Sequence, residues 1–473
     1  MQSSRSQSFS RREMLKQATV LSAGATLVGT YALQPSQPLR ANQDRGPLKT
    51  IAAINSIYRL RSHAYHICGR FIHGYMRDGF HHQPAFRVAR MYNHQSPADD
   101  LGPTDCKKYG IELSQNVASA LGGPGKVDVD AVLLIIEHGN YPVNDRGQVL
   151  YPRYELFQEI VAAFQQAGRS VPVFVDKHLS YDYQRAAEMV ETARKMKFGL
   201  MAGSSLPVTW RVPELEPPLG TPFEEAVVVF GFDRGAPDIY LFHALEVLQC
   251  MLERRPGGET GVKSVECISG DEVWRAADAG RFSWKLVEAA VDRCPSKNIG
   301  SIRDNVLKPQ AILVEYRDGT RGTVINLIEQ VSEFGFAATV RGRAERLSTH
   351  FYLPPPPGAR FFDPLSHHIE RFFAEGVPPY PVERTLLTST VLDLALRSQA
   401  FAKRSARHSL RAATRDRFFP RSAHRRRVVG MSVNGPCRET GGLLFGGPYF
   451  LRRKSRLQSP SASPSFSTSA RVL

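Results

Sequence analysis

Asp176-Lys177-His178 places an acid, an amine and an imidazole side by side at the end of a β-branched run, Val171-Pro172-Val173-Phe174-Val175. Such a run suits a parallel strand buried on both faces. The helix predicted next carries Ala186, Met189, Val190, Ala193 and Met196 at three-to-four-residue spacing, with Ser180 expected to cap it. Charged residues at the carboxyl end of a strand face the crevice where open α/β sheets bind ligands. An ordinary strand-to-helix loop with solvated charges fits the same spacing.

A second set leaves the most apolar run of the chain, Val127–Glu137, as Glu137-His138-Gly139-Asn140-Tyr141-Pro142. Glu137 and His138 would share a rim with Lys177. His63, His178 and His243 could bring more imidazoles there, but no element carries an HxH or HxxxH pair, so no metal site is assigned. Tyr151, Arg153 and Trp210 could face a sugar or simply pack. Gly203-Ser204-Ser205-Leu206-Pro207 lacks the GxSxG pattern and an evident base, and is rejected as a nucleophile loop.

The elements that must position these residues alternate. Thr50–Ile57, Phe86–Tyr92, Val127–Glu137, Val171–Val175 and Gly199–Ala202 read as strands, and Tyr154–Ala167 as an amphipathic helix closed by Gly168. This alternation predicts a doubly wound parallel sheet. After Arg211 the pattern changes. A helix is expected over Asp238–Arg255, then a strand Val262–Ser269, a hairpin about Asp318-Gly319, further strand to Gly342, and helices at His367–Glu375 and Val382–Ser398. The fold class is therefore a Rossmann-like α/β domain over 42–212, followed over 213–398 by an α+β domain with an open antiparallel sheet.

This order, from about Lys49 to Ser398, resembles the glucose–fructose oxidoreductase/inositol dehydrogenase (Gfo/Idh/MocA) family, whose last helices return to the first domain. Asp176-Lys177-His178 stands where that family has Glu-Lys-Pro, and His243 with Glu246 three residues on matches its second-domain helix. The resemblance implies NAD or NADP as cofactor and a sugar or polyol as substrate. Lys177 would then orient the reacting hydroxyl and His243 would be the general acid/base, with Asn55, Glu137, His138 and Asp176 lining the cofactor. Three departures oppose it. The family's glycine positions hold Asn55, Ile57 and Leu60, the second strand ends in Tyr92-Asn93 without a carboxylate, and Asp238 lies one step out of phase with the family's Asp. Two readings follow: an oxidoreductase, or a carbohydrate-binding pseudo-dehydrogenase that does not bind NAD(P) conventionally.

The chain has 473 residues, 42% hydrophobic and 22% charged, with net charge +16. From Arg397 onward stand 17 of the 61 Lys and Arg but only 2 of the 45 Asp and Glu, so the body before it is nearly neutral. Nucleic acid is not an expected partner, since a neutral body offers no phosphate-binding face. The basic, Ser/Pro-rich segment 399–473 reads as disordered, and a shifted reading frame would also explain its abrupt composition. Ser10-Arg11-Arg12-Glu13-Met14-Leu15-Lys16 before a short apolar run resembles a twin-arginine signal over 1–41, implying export to the periplasm without a stable membrane span. Six cysteines without CxxC spacing are read as buried thiols. A homo-oligomer through the second sheet is the expected assembly.

Overall fold

Successive residues of β1 (Lys49–Asn55) enter different cores: Ile51 and Ala53 on one face, Ala52 and Ile54 on the other. That is what a strand with helices on both sides requires, because side chains alternate across a sheet. The computed structural model describes residues 47–232, 237–355 and 358–418, with side chains to 402. The twin-arginine segment, Cys437 and everything after Phe418 lie outside the described residues.

The first sheet takes β1, then α1 (His63–His73), β2 (Phe86–Asn93), β3 (Glu112–Leu113), β4 (Ala131–Ile135), α2 (Arg153–Ala167), β5 (Val173–Asp176), α3 (Tyr183–Met196) and β6 (Leu200–Gly203). All pairings are parallel, in the order β3-β2-β1-β4-β5-β6. The order reverses between β1 and β4, so the ligand crevice of such a sheet lies above those strands' carboxyl ends. α2 and α3 cover one face through Leu156, Phe157, Ile160, Met189 and Val190. Gly168, at φ +61°, ends α2 in the left-handed conformation. One expectation needs correcting at α3: Asp182, not Ser180, is the cap, accepting from the amides of Gln184 and Arg185. Ser180 instead accepts from the Asp182 amide.

The second sheet is built from β7 (Trp210–Val212), β8 (Phe223–Phe230), α4 (Pro237–Leu252), β9 (Val262–Ser269), α5 (Asp271–Asp278), α6 (Trp284–Val291), β10 (Gln310–Tyr316), β11 (Arg321–Asn326), β12 (Phe334–Val340) and β13 (Leu347–Tyr352). Its order is β9-β10-β11-β8-β12-β13-β7. The sheet is mixed rather than purely antiparallel, because β8 and β11 run parallel at its centre. Nor is it open. α4 packs on one face, and α5 and α6 bury Val227, Val229, Ile325 and Ala337 on the other through Val273, Leu286, Val287 and Ala290.

α7 (Phe362–Glu375) returns to the first sheet, where Leu365, Ile369, Phe372 and Phe373 join the core on the α1 side. Val382, just before α8 (Glu383–Phe418), joins one core with Leu386 packed against it, and α8 adds Val391, Leu392, Ala395 and Leu396 to another. It runs 20 residues past the boundary expected at Ser398. The five described cysteines are buried and lie in no disulfide among the described residues. Among the described residues no helix is long and apolar enough to cross a membrane.

Candidate functional site

β4 and β5 end side by side, and their exits carry the charged residues singled out from the sequence. Lys177 leaves β5 at φ +64°, its amide bonded to the Gly203 carbonyl at 3.1 Å. His138 leaves the β4 side at φ +68°. Left-handed backbone costs an ordinary residue on the order of 1 kcal/mol, and such strain gathers where side-chain direction matters. Here it coincides with a closed ionic group. Glu137 accepts from Lys177 Nζ at 2.9 Å through one oxygen and from Arg153 Nη2 through the other. Arg153 Nη1 also lies 3.2 Å from the His178 ring, and its guanidinium covers the Tyr151 ring at 4.8 Å. Glu137, Lys177, Arg153 and His178 are each at most 2% exposed.

Burial alone would raise the Glu137 pKa, but Lys177 and then Arg153 oppose it and win, holding the carboxyl well below the usual range. His178, desolvated and beside Arg153, is held well below the usual imidazole range. The group therefore sets two cations against one carboxylate, a net charge of +1 with His178 neutral.

A second cluster faces it from β6 and α4. Ser204, just past β6, donates its hydroxyl to Glu246 Oε2, and its amide donates to Glu246 Oε1 at 3.0 Å. His243 Nδ1 lies 2.9 Å from the same hydroxyl. Burial raises Glu246 to about 7, despite the Ser204 hydrogen bonds that favour its anion. His243 is held well below the usual range, first by burial and then by Lys177. The sequence expectation that Ser204 has no base is therefore wrong. The hydroxyl is shared between His243 and Glu246, and the segment still lacks the GxSxG pattern of a nucleophile loop.

Asp238, expected to be out of phase, is fully buried, accepts from the Val149 amide at 3.2 Å, and keeps Oδ1 without a partner. Burial and then the nearby Glu137 charge raise it to about 7. At the next strand end Asp176 Oδ2 is 2.7 Å from His63 Nδ1, while Asp176 Oδ1 has no partner. The His63 and His138 rings stand 5.2 Å apart. Burial, then His63, lowers His138 to about 4. Among the described residues no group of three or more acids, imidazoles and thiols could hold a metal ion.

Asn55 lies apart from these groups. Its side chain donates to Asn93, which donates onward to Asp100, and Asn55 Oδ1 is buried without a partner. Ile57 is buried, whereas Leu60 is 62% exposed. The turn uses its own amides: Ser56 donates to Ile135, Arg59 to Ser62 Oγ, and Tyr65 to Ser62 Oγ. The His63 amide approaches His138 Nδ1 at 3.5 Å. Above the crevice Gln95 bonds the Asn140 backbone in both directions at 2.9 Å, while its amide bonds the Ser56 carbonyl at 2.8 Å. The loops after β1, β2 and β4 are thereby stitched together. Trp210, on edge strand β7, is 44% exposed and outside both clusters.

The sequence offers Arg153 only as a residue that could face a sugar and Asp238 only as one step out of phase, and it does not show the bridging role of Ser204. Arg153 opens an amphipathic helix, where a basic residue reads as solvated, and nothing in its spacing announces Glu137. Asp238 precedes His243 by five residues near the start of the same helix, and its burial beside Glu137 depends on the fold rather than on that spacing.

No family model matches the chain, and no curated protein does. Among solved structures it is similar to GenD2 from gentamicin A biosynthesis in complex with NAD, at 12% identity over 76% of this chain and 97% of that one, TM-score 0.48. It is similar also to a myo-inositol dehydrogenase from Lactobacillus casei in complex with NAD(H) and myo-inositol, at 12% identity over 75% and 95%, TM-score 0.46. A Synechocystis biliverdin reductase bound to biliverdin and NADP+ is 13% identical over 74% and 99%, TM-score 0.43. The strand orders themselves fix the frame: a Rossmann-like parallel sheet followed by a mixed-sheet domain, with the last helices returned to the first sheet.

Proposed function

We propose that this chain binds a polyhydroxylated small molecule, a sugar or polyol, at the carboxyl edge of its first sheet without seating a nicotinamide dinucleotide in the conventional way. The observation that carries this is the β1–α1 turn. A pyrophosphate needs free amides at the helix start and room for the backbone to approach it. Here those amides serve Ser62 and Ile135, a buried Ile57 stands where a glycine would be needed, and Gln95 clasps the Asn140 backbone across the loops. Asn93, where a ribose-binding carboxylate would stand, is bonded to Asn55 and Asp100. The residues present do not fit the dinucleotide. The orphaned oxygens of Asp176 and Asp238 near these strand ends are instead acceptors that hydroxyl groups would satisfy.

Titration with NADH or NADPH should give a Kd at or above roughly 1 mM, about −4 kcal/mol. Micromolar affinity would overturn this reading. Mass spectrometry of small molecules released from the purified protein would identify the ligand class.

The second reading, an oxidoreductase acting on a sugar or polyol, is favoured by Lys177 and His243 standing at the matching strand and helix positions, and by relatives in fold that bind NAD. If cofactor binds, Lys177→Ala and His243→Ala should abolish turnover while leaving cofactor affinity intact. Export by the twin-arginine route is also proposed. Arg11→Lys with Arg12→Lys should leave the protein in the cytoplasmic fraction of a bacterial host, because the receptor reads the paired guanidinium groups. Equal periplasmic amounts of both forms would remove this claim.

A further inference from the structure

His243 presents a chemical puzzle: its ring is buried and resists becoming imidazolium, yet an acid/base residue must exchange a proton. Its contacts supply a route. The Ser204 hydroxyl has one proton and stands between two partners, His243 Nδ1 and Glu246 Oε2. It can donate to only one of them at a time. When Glu246 is ionised, Ser204 must donate to the carboxylate and accept from His243 Nδ1–H, leaving Nε2 bare. When Glu246 is protonated on Oε2, it donates to Ser204, Ser204 donates to Nδ1, and the ring proton sits on Nε2.

We infer that Glu246, Ser204 and His243 form a proton relay in which Ser204 reverses its hydrogen bonds, so that His243 gives up or takes a proton at Nε2 without becoming imidazolium. The balance is one proton. The protonated relay holds hydrogens on Oε2, Oγ and Nε2, whereas the deprotonated one holds them on Oγ and Nδ1. Loss of Nε2–H accompanies transfer of the Oγ proton to Nδ1 and of the Oε2 proton to Oγ, and the negative charge comes to rest on Glu246. Ser204 and Glu246 are positioning residues in this scheme. It concerns the second cluster alone and does not depend on which ligand the site takes.

The local structure is built for this contact. Gly203, at φ +129°, lets the carboxylate reach the Ser204 amide, because a Cβ there would stand 2.8 Å from Glu246 Oε1. Glu246 is faced by Asp176 from β5, by Arg384 from α8, which is itself paired with Glu253, and by Tyr380. His243 is faced by Lys177, His63, Glu137 and His178. With burial holding the carboxyl at about 7, the reversal falls near neutrality. A histidine kept neutral can thus still titrate, through a partner one hydroxyl away.

The test is the side-chain 15N spectrum of the full chain labelled at histidine, with His243 assigned by its loss in His243→Gln. At pH 8.5 Nδ1 should be pyrrole-like and Nε2 bare; by pH 5.5 the two should have exchanged roles, with no imidazolium signal. Glu246→Gln should fix the low-pH arrangement at every pH, since an amide NH2 donates permanently to Ser204. Ser204→Ala should abolish the exchange and Ser204→Thr should restore it. A single tautomer across the range in the unmodified protein, an imidazolium forming near the ordinary histidine value, or exchange surviving in Ser204→Ala would each overturn the relay. None of these outcomes bears on dinucleotide or sugar affinity.

Discussion

Glu137 and Glu246 are the same residue type, are equally buried at 2% and 1% exposure, and flank the same crevice, yet their carboxyls titrate in opposite directions. Desolvation acts on both and raises both. The difference lies in what else each one meets. Glu137 meets two cations, Lys177 and Arg153, whereas Glu246 meets one hydroxyl and one amide. Two ion pairs in a low-dielectric site outweigh the loss of hydration, while two neutral hydrogen bonds do not. One carboxylate is therefore a permanent structural anion, and the other can hold or release a proton near pH 7.

The largest effect expected from this contrast is at Glu137. Glu137→Ala leaves Lys177 and Arg153 buried with no carboxylate between them, and removing one partner of a buried ionic group costs about 3–5 kcal/mol. Urea unfolding followed by circular dichroism measures it, and a loss below about 1 kcal/mol would mean that the cations find water or rearrange.

Glu246→Gln should behave in the opposite way. An amide keeps the size and takes no charge, so near pH 5 stability should change little. Above neutrality the natural protein must bury an anion at Glu246, whereas the variant need not. The folded pKa is raised from 4.5 to about 7, so the folded state binds more protons than the unfolded one within that window, and stability falls as pH rises through it. The variant should therefore be the more stable form at pH 8, by on the order of 1–3 kcal/mol. Equal stabilities at pH 5 and pH 8 would erase the contrast between the two glutamates.

Lys177→Met sharpens the first case. Glu137 retains Arg153, so no charge is left wholly unpaired, and the expected loss is smaller than for Glu137→Ala, about 1–2 kcal/mol. A loss equal to that of Glu137→Ala would show that Arg153 contributes nothing to the pair.

How much of this was legible in advance follows from how each feature is encoded. The parallel sheet was, because strands covered on both faces are continuous apolar runs such as Ala131–Ile135 and Val173–Phe174-Val175. Lys177 and Glu137 were, because a polar residue ending such a run has only the crevice edge to occupy. Their direct pairing was not, since it depends on β4 and β5 being neighbours and on Lys177 taking left-handed backbone. The covering of the second sheet could have been found, as Val273, Ala276, Ala277, Leu286, Val287, Ala290 and Val291 carry helical spacing in two short stretches. The parallel β8–β11 pair could not, because hydrophobic alternation records which face is buried and not which way a neighbouring strand runs.

The smallest expected effect is on the pH dependence of the whole protein, where groups of opposite sign compete. His66, His138, His178 and His243 are all lowered by burial, His66 to about 3 and His138 to about 4. In the unfolded chain they protonate near 6.5, so below that value the unfolded state binds more protons and stability is lost as pH falls. Asp238 and Glu246, raised to about 7, contribute the reverse slope between their unfolded values, about 4, and neutrality. Burial lowers His73, His367 and His368 as well, so seven imidazoles stand against two carboxyls, and the melting temperature should rise from pH 5 to pH 6.5. Asp238→Asn combined with Glu246→Gln removes the opposing slope and should make that rise steeper. A rise of unchanged steepness in the double variant would mean that neither carboxyl holds its proton in the folded state, and that Glu246 is an anion like Glu137 after all.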